Sequence, residues 1–123
     1  MKLHRATAVG RNAFTGYGAG YVMVNEARHM HSLVVLPDRL ITDWGASTFE
    51  ALDPEQLAPL AGCGLEIVLL GTGDRLRFPA PAILRPLVEA GVGVEIMDVQ
   101  AACRTYNILA AEDRKVGAAL LLG

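Results

Sequence analysis

Residues 65–122 alternate short apolar runs with helix-forming segments, and this alternation constrains the fold more than any other feature of the sequence. The apolar runs are Leu65–Leu70, Val94–Met97 and Val116–Leu122, and they are separated by two helical segments, Ala82–Ala90 and Val99–Asp113. Apolar strands that alternate with helices are typical of a parallel sheet covered by those helices. We therefore predict a βαβαβ half over residues 65–122.

Capping residues and prolines predict where the helices begin. The run Asp53–Gln56 combines a cap residue, a first-turn proline and a glutamine at the third helical position, and Ser47–Glu50 matches a second capping box. Asp98 is placed to cap the helix that follows it. Pro86 predicts a late start or a bend, because an interior proline removes one helical hydrogen bond.

The first third of the chain carries β-strand signals. Tyr21–Asn25 and His29–Leu36 flank a short turn and predict a hairpin, and Arg39–Asp43 completes an antiparallel meander over residues 21–43. Leu3–Val9 fits a short strand. The glycines of Gly10–Gly20 are typical of a mobile connection, so residues 1–20 are predicted to be a mobile or edge segment.

Together these signals predict one α/β domain over residues 1–123. Its three layers combine a mixed, mainly parallel sheet and its helices with an N-terminal antiparallel β meander. A chain of 123 residues that is 52% hydrophobic can bury a core without disulfides or metal.

Composition and charge exclude several classes of function. A formal net charge of −2 provides no basic field for a phosphate backbone, so nucleic acid is not an expected partner. No apolar run approaches the roughly 18 residues that a transmembrane helix needs. Two cysteines without metal-ligand spacing favour a reducing cytoplasm, and we expect no metal and no cofactor.

The candidate site lies where the parallel strands end. Open parallel sheets bind ligands beyond the carboxyl ends of their strands, and both Gly71-Thr72-Gly73 and Asp98 are predicted there. The glycines allow close backbone approach, and Thr72 offers a hydroxyl. Arg75, Arg77 and Arg104 offer positive charge that suits a small anion such as a carboxylate or phosphate. A structural interpretation stays open, in which the glycines make a tight turn, the aspartate caps a helix and the arginines are solvated or paired.

The helix Val99–Asp113 carries further candidates. Arg104 and Asn107 share one side of it and suit a ligand or a partner's backbone, but they are equally suited to anchoring the hairpin. Tyr106 belongs to the buried stripe, which favours packing. Since no nucleophile and base are suitably spaced, we predict no catalytic residues. The helix has little polar face, so a loop, the hairpin or a second subunit should cover it.

Four segments resemble a small family of domains of unknown function that includes the mitochondrial complex I assembly factor three. They are Leu-Leu-Gly-Thr-Gly (69–73), Arg-Phe-Pro (77–79), Gly-Val-Gly-Val-Glu-Ile-Met-Asp (91–98) and Ala-Cys-Arg-Thr-Tyr-Asn-Ile-Leu (102–109). The resemblance extends from about Tyr21 to Leu122. It implies a three-layer α/β domain and, in the mitochondrial relative, a non-catalytic role in assembling the respiratory enzyme, without catalytic residues to carry over.

Two functions are consistent with these observations. The first is a non-enzymatic binding or assembly module, linked to respiratory complex assembly, that recognises a protein partner or a second copy of itself through Gly71–Arg77, Arg104 and Asn107. The second is a binding protein or enzyme for a small anion or metabolite that uses Gly71-Thr72-Gly73.

Overall fold

The computed structural model describes residues 10–123, and the strand expected at Leu3–Val9 lies outside them. The strands are β1 (Phe14–Gly18), β2 (Tyr21–Val24), β3 (Ala27–His29), β4 (Leu33–Leu36), β5 (Arg39–Ile41), β6 (Ile67–Gly71), β7 (Gly93–Met97) and β8 (Val116–Leu120). The helices are α1 (Pro54–Ala61), α2 (Arg85–Glu89) and α3 (Val99–Ala111), and a 3₁₀ turn, Pro81–Leu84, leads into α2.

The strands form two sheets. One is the antiparallel sheet β1-β2-β3, and the other has five strands in the order β5-β4-β8-β6-β7. Within the larger sheet β6 pairs in parallel with both β7 and β8, whereas β4 pairs antiparallel with β8 and with β5. The predicted α/β class and the predicted parallel half are confirmed.

The large sheet separates two hydrophobic cores. Alternate residues of β6 point to opposite faces, so Val68 and Leu70 pack in the core beneath α1 and α2, while Leu69 packs in the core beneath α3. The small sheet covers the core beneath α3, since Phe14 and Val22 contribute their side chains to that core. The layers are therefore α1 with α2, the five-stranded sheet, and α3 with the small sheet.

The predicted pairing within residues 21–43 is wrong in part. Asn25 and Glu26 make the tight turn between β2 and β3 with φ values of 49° and 77°, but the expected strand His29–Leu36 divides between the two sheets. All four residues of β4 are apolar and buried. A strand of that kind needs cover on both faces, which the interior of the large sheet provides and the half-exposed small sheet does not.

The predicted mobile or edge segment contains the strand β1. This strand lies at the edge of the small sheet and pairs with β2, and its register shifts between Phe14 and Gly16. Glycine content had suggested a loop, but tertiary contacts with α3 hold this segment in a sheet.

The helix-start signals have different outcomes. The capping box at Asp53 is confirmed, because its carboxylate accepts a hydrogen bond from Glu55 N and its own N–H donates to Gln56 Oε1 at 2.7 Å. The start expected at Ser47–Glu50 is wrong. There the Thr48 hydroxyl accepts from Ala51 N in an isolated turn. The late start expected at Pro86 is confirmed, since this proline lies in the first turn of α2.

Side chains of α3 bind the small sheet through its backbone. The Asn107 amide accepts from Phe14 N at 2.9 Å and donates to Phe14 O at 2.7 Å, and Tyr106 donates to Asn12 O at 3.1 Å. Arg104 donates to the Tyr17 hydroxyl at 2.9 Å. The Asn107 side chain thus takes the place of a neighbouring strand at one residue of β1, Phe14.

Asn107→Ala should destabilise the protein by about 2 kcal/mol, because it leaves the N–H and C=O of Phe14 without partners in a partly buried contact. Urea unfolding measures the change. Ile108→Ala on the same helix is the matched control, since Ile108 is 61% exposed and its loss should have little effect. Equal stability of the two variants would contradict the role given to the amide.

Gly71→Ala should also destabilise the protein, by about 1–3 kcal/mol. A Cβ at Gly71 would lie 2.8 Å from Leu120 Cδ2 and 3.2 Å from the Cα of Val99, so β6 and the start of α3 would have to separate. Gly62→Ala is the control, because its Cβ would meet only Pro59 O at 3.8 Å. Thermal unfolding of both variants tests the difference, and an unchanged melting temperature for Gly71→Ala would refute the steric argument.

Candidate functional site

The carboxyl ends of β6, β7 and β8 meet at one rim of the large sheet. Thr72 N donates to Met97 O at 2.9 Å, and Val99 N donates to Gly73 O at the same distance. Leu121 N donates to Gly71 O, also at 2.9 Å. The structure therefore brings Thr72 and Asp98 together, as the parallel strand order requires.

A groove of about 530 Å³ opens at this rim. Its walls are the turn Gly18–Gly20, the loop after β6, the start of α3 and the residues that follow β8. Five of the predicted site residues line it: Thr72, Gly73, Arg75, Arg77 and Asp98. Gly71, Arg104 and Asn107 do not, because Gly71 lies beneath the rim against α3 and the other two bind β1.

The polar groups beneath the groove already bind within the protein. The buried Thr72 hydroxyl donates to Arg75 O at 2.8 Å and accepts from Arg77 N at 3.0 Å. Asp98 caps α3 by accepting from Ala101 N at 2.8 Å, as predicted. Gly73 takes a φ of 98°, which favours glycine and completes the turn. A ligand would have to compete with these bonds.

Arg77 is held by two neighbours from the segment that precedes α1, Phe49 and Glu50. Its guanidinium lies 3.0 Å from the Glu50 carboxylate and 4.1 Å from the centre of the Phe49 ring. A hydrogen bond from the backbone N–H of Glu50 and, to a smaller extent, the Arg77 guanidinium lower the pKa of the Glu50 carboxyl. Arg75 is exposed at the mouth of the groove. Arg77 therefore has a structural role, because its charge is already paired with Glu50.

Two large apolar side chains on the same loop point into solvent. Leu76 is 49% exposed and Phe78 is 72% exposed. The bonds of Thr72 and Arg77 fix the loop from inside, so the exposed side chains have a defined backbone beneath them. Neither residue is among those that the sequence pattern predicts for the site. The alternation of arginine with large apolar residues over positions 75–78 is the sequence signal that could have indicated them.

Two potentially reactive side chains of α3, Cys103 and Tyr106, lie in the core. Burial raises the pKa of the Cys103 thiol to about 12 and also raises the pKa of Tyr106, so neither group is prepared for acid–base or nucleophilic work at neutral pH. In residues 10–123 no three His, Cys, Asp or Glu side chains are grouped as metal ligands. No helix in that range has the length and apolar character needed to cross a membrane.

Solved structures and curated sequences resemble the chain over most of its length. A crystal structure of a Bordetella parapertussis protein has 42% identity and a TM-score of 0.85, and the match covers 94% of this chain and 98% of that one. The solution structure of a Mth938-like domain from Bordetella pertussis has 38% identity and a TM-score of 0.78, with coverage of 98% and 92%.

The curated relatives include a protein named as an assembly factor. NADH dehydrogenase [ubiquinone] 1 alpha subcomplex assembly factor 3 of Bos taurus is 32% identical over 107 residues, which cover 85% of this chain and 58% of the relative. The chain thus corresponds to little more than half of that protein. Residues 14–121 match the family described as protein of unknown function (DUF498/DUF598), and the chain belongs to this family.

Proposed function

We propose that this protein is a non-catalytic binding module that assists the assembly of an NADH dehydrogenase of the respiratory chain and acts in the cytoplasm. The observation that carries the proposal is the 32% identity to an assembly factor for that enzyme, which extends over 85% of the chain. The internal use of the Thr72 hydroxyl and the burial of Cys103 and Tyr106 support a role without chemistry.

The loop Gly71–Phe78 is the proposed recognition surface. Protein interfaces are enriched in aromatic side chains and arginine and depend on a few apolar anchors. Phe78 and Leu76 supply such anchors, and Arg75 supplies an exposed charge beside them. Arg104 and Asn107 contribute indirectly, because their bonds to β1 hold the turn Gly18–Gly20 at the groove.

The double variant Leu76→Ser/Phe78→Ser should lose the assembly function and keep its fold, because both side chains are exposed and their backbone is fixed by other residues. The measurement is NADH:quinone oxidoreductase activity, together with the amount of intact enzyme on native gels, in membranes of the source organism. Deletion of the gene should lower both, the wild-type gene should restore both, and the double variant should restore neither.

Ile108→Ser is the matched control, since it also removes an exposed apolar side chain but lies on α3, and it should restore both. Normal enzyme levels in the deletion strain would refute the assembly role. Full restoration by the double variant would refute the surface assigned to it and leave the role itself standing.

A further inference from the structure

Within residues 10–123 the two sheets have four edge strands, β1, β3, β5 and β7. Three of these edges are poorly suited to pairing with a further strand. At β1 the Asn107 amide occupies the N–H and C=O of Phe14, and the register shift interrupts the ladder. β3 and β5 have three residues each. Short or irregular edges of this kind resist the addition of a further strand.

The fourth edge, β7, has none of these features. It is a regular five-residue strand, Gly93–Met97, that pairs with β6 over its whole length and with no other described strand. It contains no proline and no bulge, and its one charged side chain is that of Glu95. A regular edge with a single charge can serve as a template for a strand that carries the opposite charge at the facing position.

The backbone direction identifies the free groups of β7. Gly93 N donates to Glu66 O, and Met97 O accepts from Thr72 N, so residues 93, 95 and 97 direct their backbone groups toward β6. Because backbone groups alternate along a strand, the N–H and C=O of Val94 and Ile96 point outward. These four groups can bind one extended segment.

The side chains of β7 define what such a segment should look like. Val94 and Ile96 pack partly against the core beneath α1 and α2, so they present apolar edges on that face. Glu95 is exposed on the opposite face. A strand added here would place two of its side chains beside Val94 and Ile96, and the intervening one beside the Glu95 carboxylate.

We propose that the β7 edge binds an extended segment of a protein partner in which a lysine or arginine stands between two apolar residues. The inference deepens the proposed function, because it names the chemistry of the partner. A second copy of this chain fits poorly. The antiparallel register that pairs Val94 with Ile96 of another copy places the two Glu95 carboxylates opposite each other, which is unfavourable.

Two acetylated and amidated pentapeptides test the proposal. One has the sequence Thr-Val-Lys-Val-Thr and the other has Glu in place of Lys, and each is titrated into the ¹⁵N-labelled full chain. We expect amide shifts centred on residues 93–97, at peptide concentrations on the order of 1 mM, with the lysine peptide binding about fivefold more tightly. No shifts there, or equal binding of the two peptides, would overturn the proposal.

Two variants make the result specific. Glu95→Lys should reverse the preference so that the glutamate peptide binds more tightly. Val94→Pro removes an outward N–H without removing a bond to β6, and it should abolish binding of both peptides while the remaining amide spectrum shows a folded protein. A variant that left the preference or the binding unchanged would contradict the assigned edge.

The same titration separates this proposal from the assembly role. Peptide binding at β7 together with normal enzyme levels in the deletion strain would refute the role and retain the edge. Loss of the enzyme in that strain without any peptide binding would refute the β7 edge and retain the assembly role. A dimer in solution whose amide protection covers residues 93–97 would make a second copy the occupant, and the proposal would then be wrong.

Discussion

The rest of the structure depends on the attachment of α3 to both sheets. One face of the helix covers β6 and β8, while Asn107 and Tyr106 bind the backbone of residues 12–14 on the other side. Without that attachment the small sheet would leave the apolar face that carries Phe14 and Val22 in water, which is unfavourable. The Asn107 amide fixes the position of β1 along α3, because it can bind the N–H and C=O of one residue only. It fixes Phe14 against Tyr106, where the two rings pack edge to face with centres 5.2 Å apart.

This attachment also determines what the rim of the large sheet can present. Since the small sheet is fixed, its Gly18–Gly20 turn forms one wall of the groove opposite the loop after β6. The Thr72 hydroxyl binds two backbone groups of its own loop and therefore shapes that loop from within. Because these polar groups already have hydrogen-bond partners, a small polar ligand would gain little binding free energy from them. Burial of the exposed Leu76 and Phe78 side chains against a partner would be favourable, because it removes apolar surface from water. The balance at this rim favours association with an apolar surface over capture of a small anion.

The sequence predicted the parallel half because its signals are local and agree with one another. Asp98 caps α3, Pro86 delays α2, and the apolar runs become β6, β7 and β8 within a few residues of their expected limits. The failures have a common cause, which is that the deciding contacts are distant in the chain. β4 joins the large sheet and not the predicted hairpin because it pairs with β8, more than 80 residues later, and β1 is ordered by Asn107, 93 residues away. Strand order predicted five of the residues that line the groove, but it predicted neither the Gly18–Gly20 wall nor the partner of each polar group, since contacts such as the Arg77–Glu50 ion pair link separate segments.

The two proposed binding surfaces, the loop Gly71–Phe78 and the β7 edge, meet at the end of β7. The loop that carries Leu76 and Phe78 begins at Thr72, whose N–H binds Met97 O at the last residue of β7, so the outward groups of Val94 and Ile96 lead toward the base of that loop. A partner segment paired with β7 would therefore approach the same end of the sheet at which the apolar anchors stand. Both features are built on backbone that is already fixed by hydrogen bonds, so little conformational entropy would be lost from this chain when a partner binds. A rigid edge beside a rigid apolar loop suits a module whose task is to hold another polypeptide in one orientation.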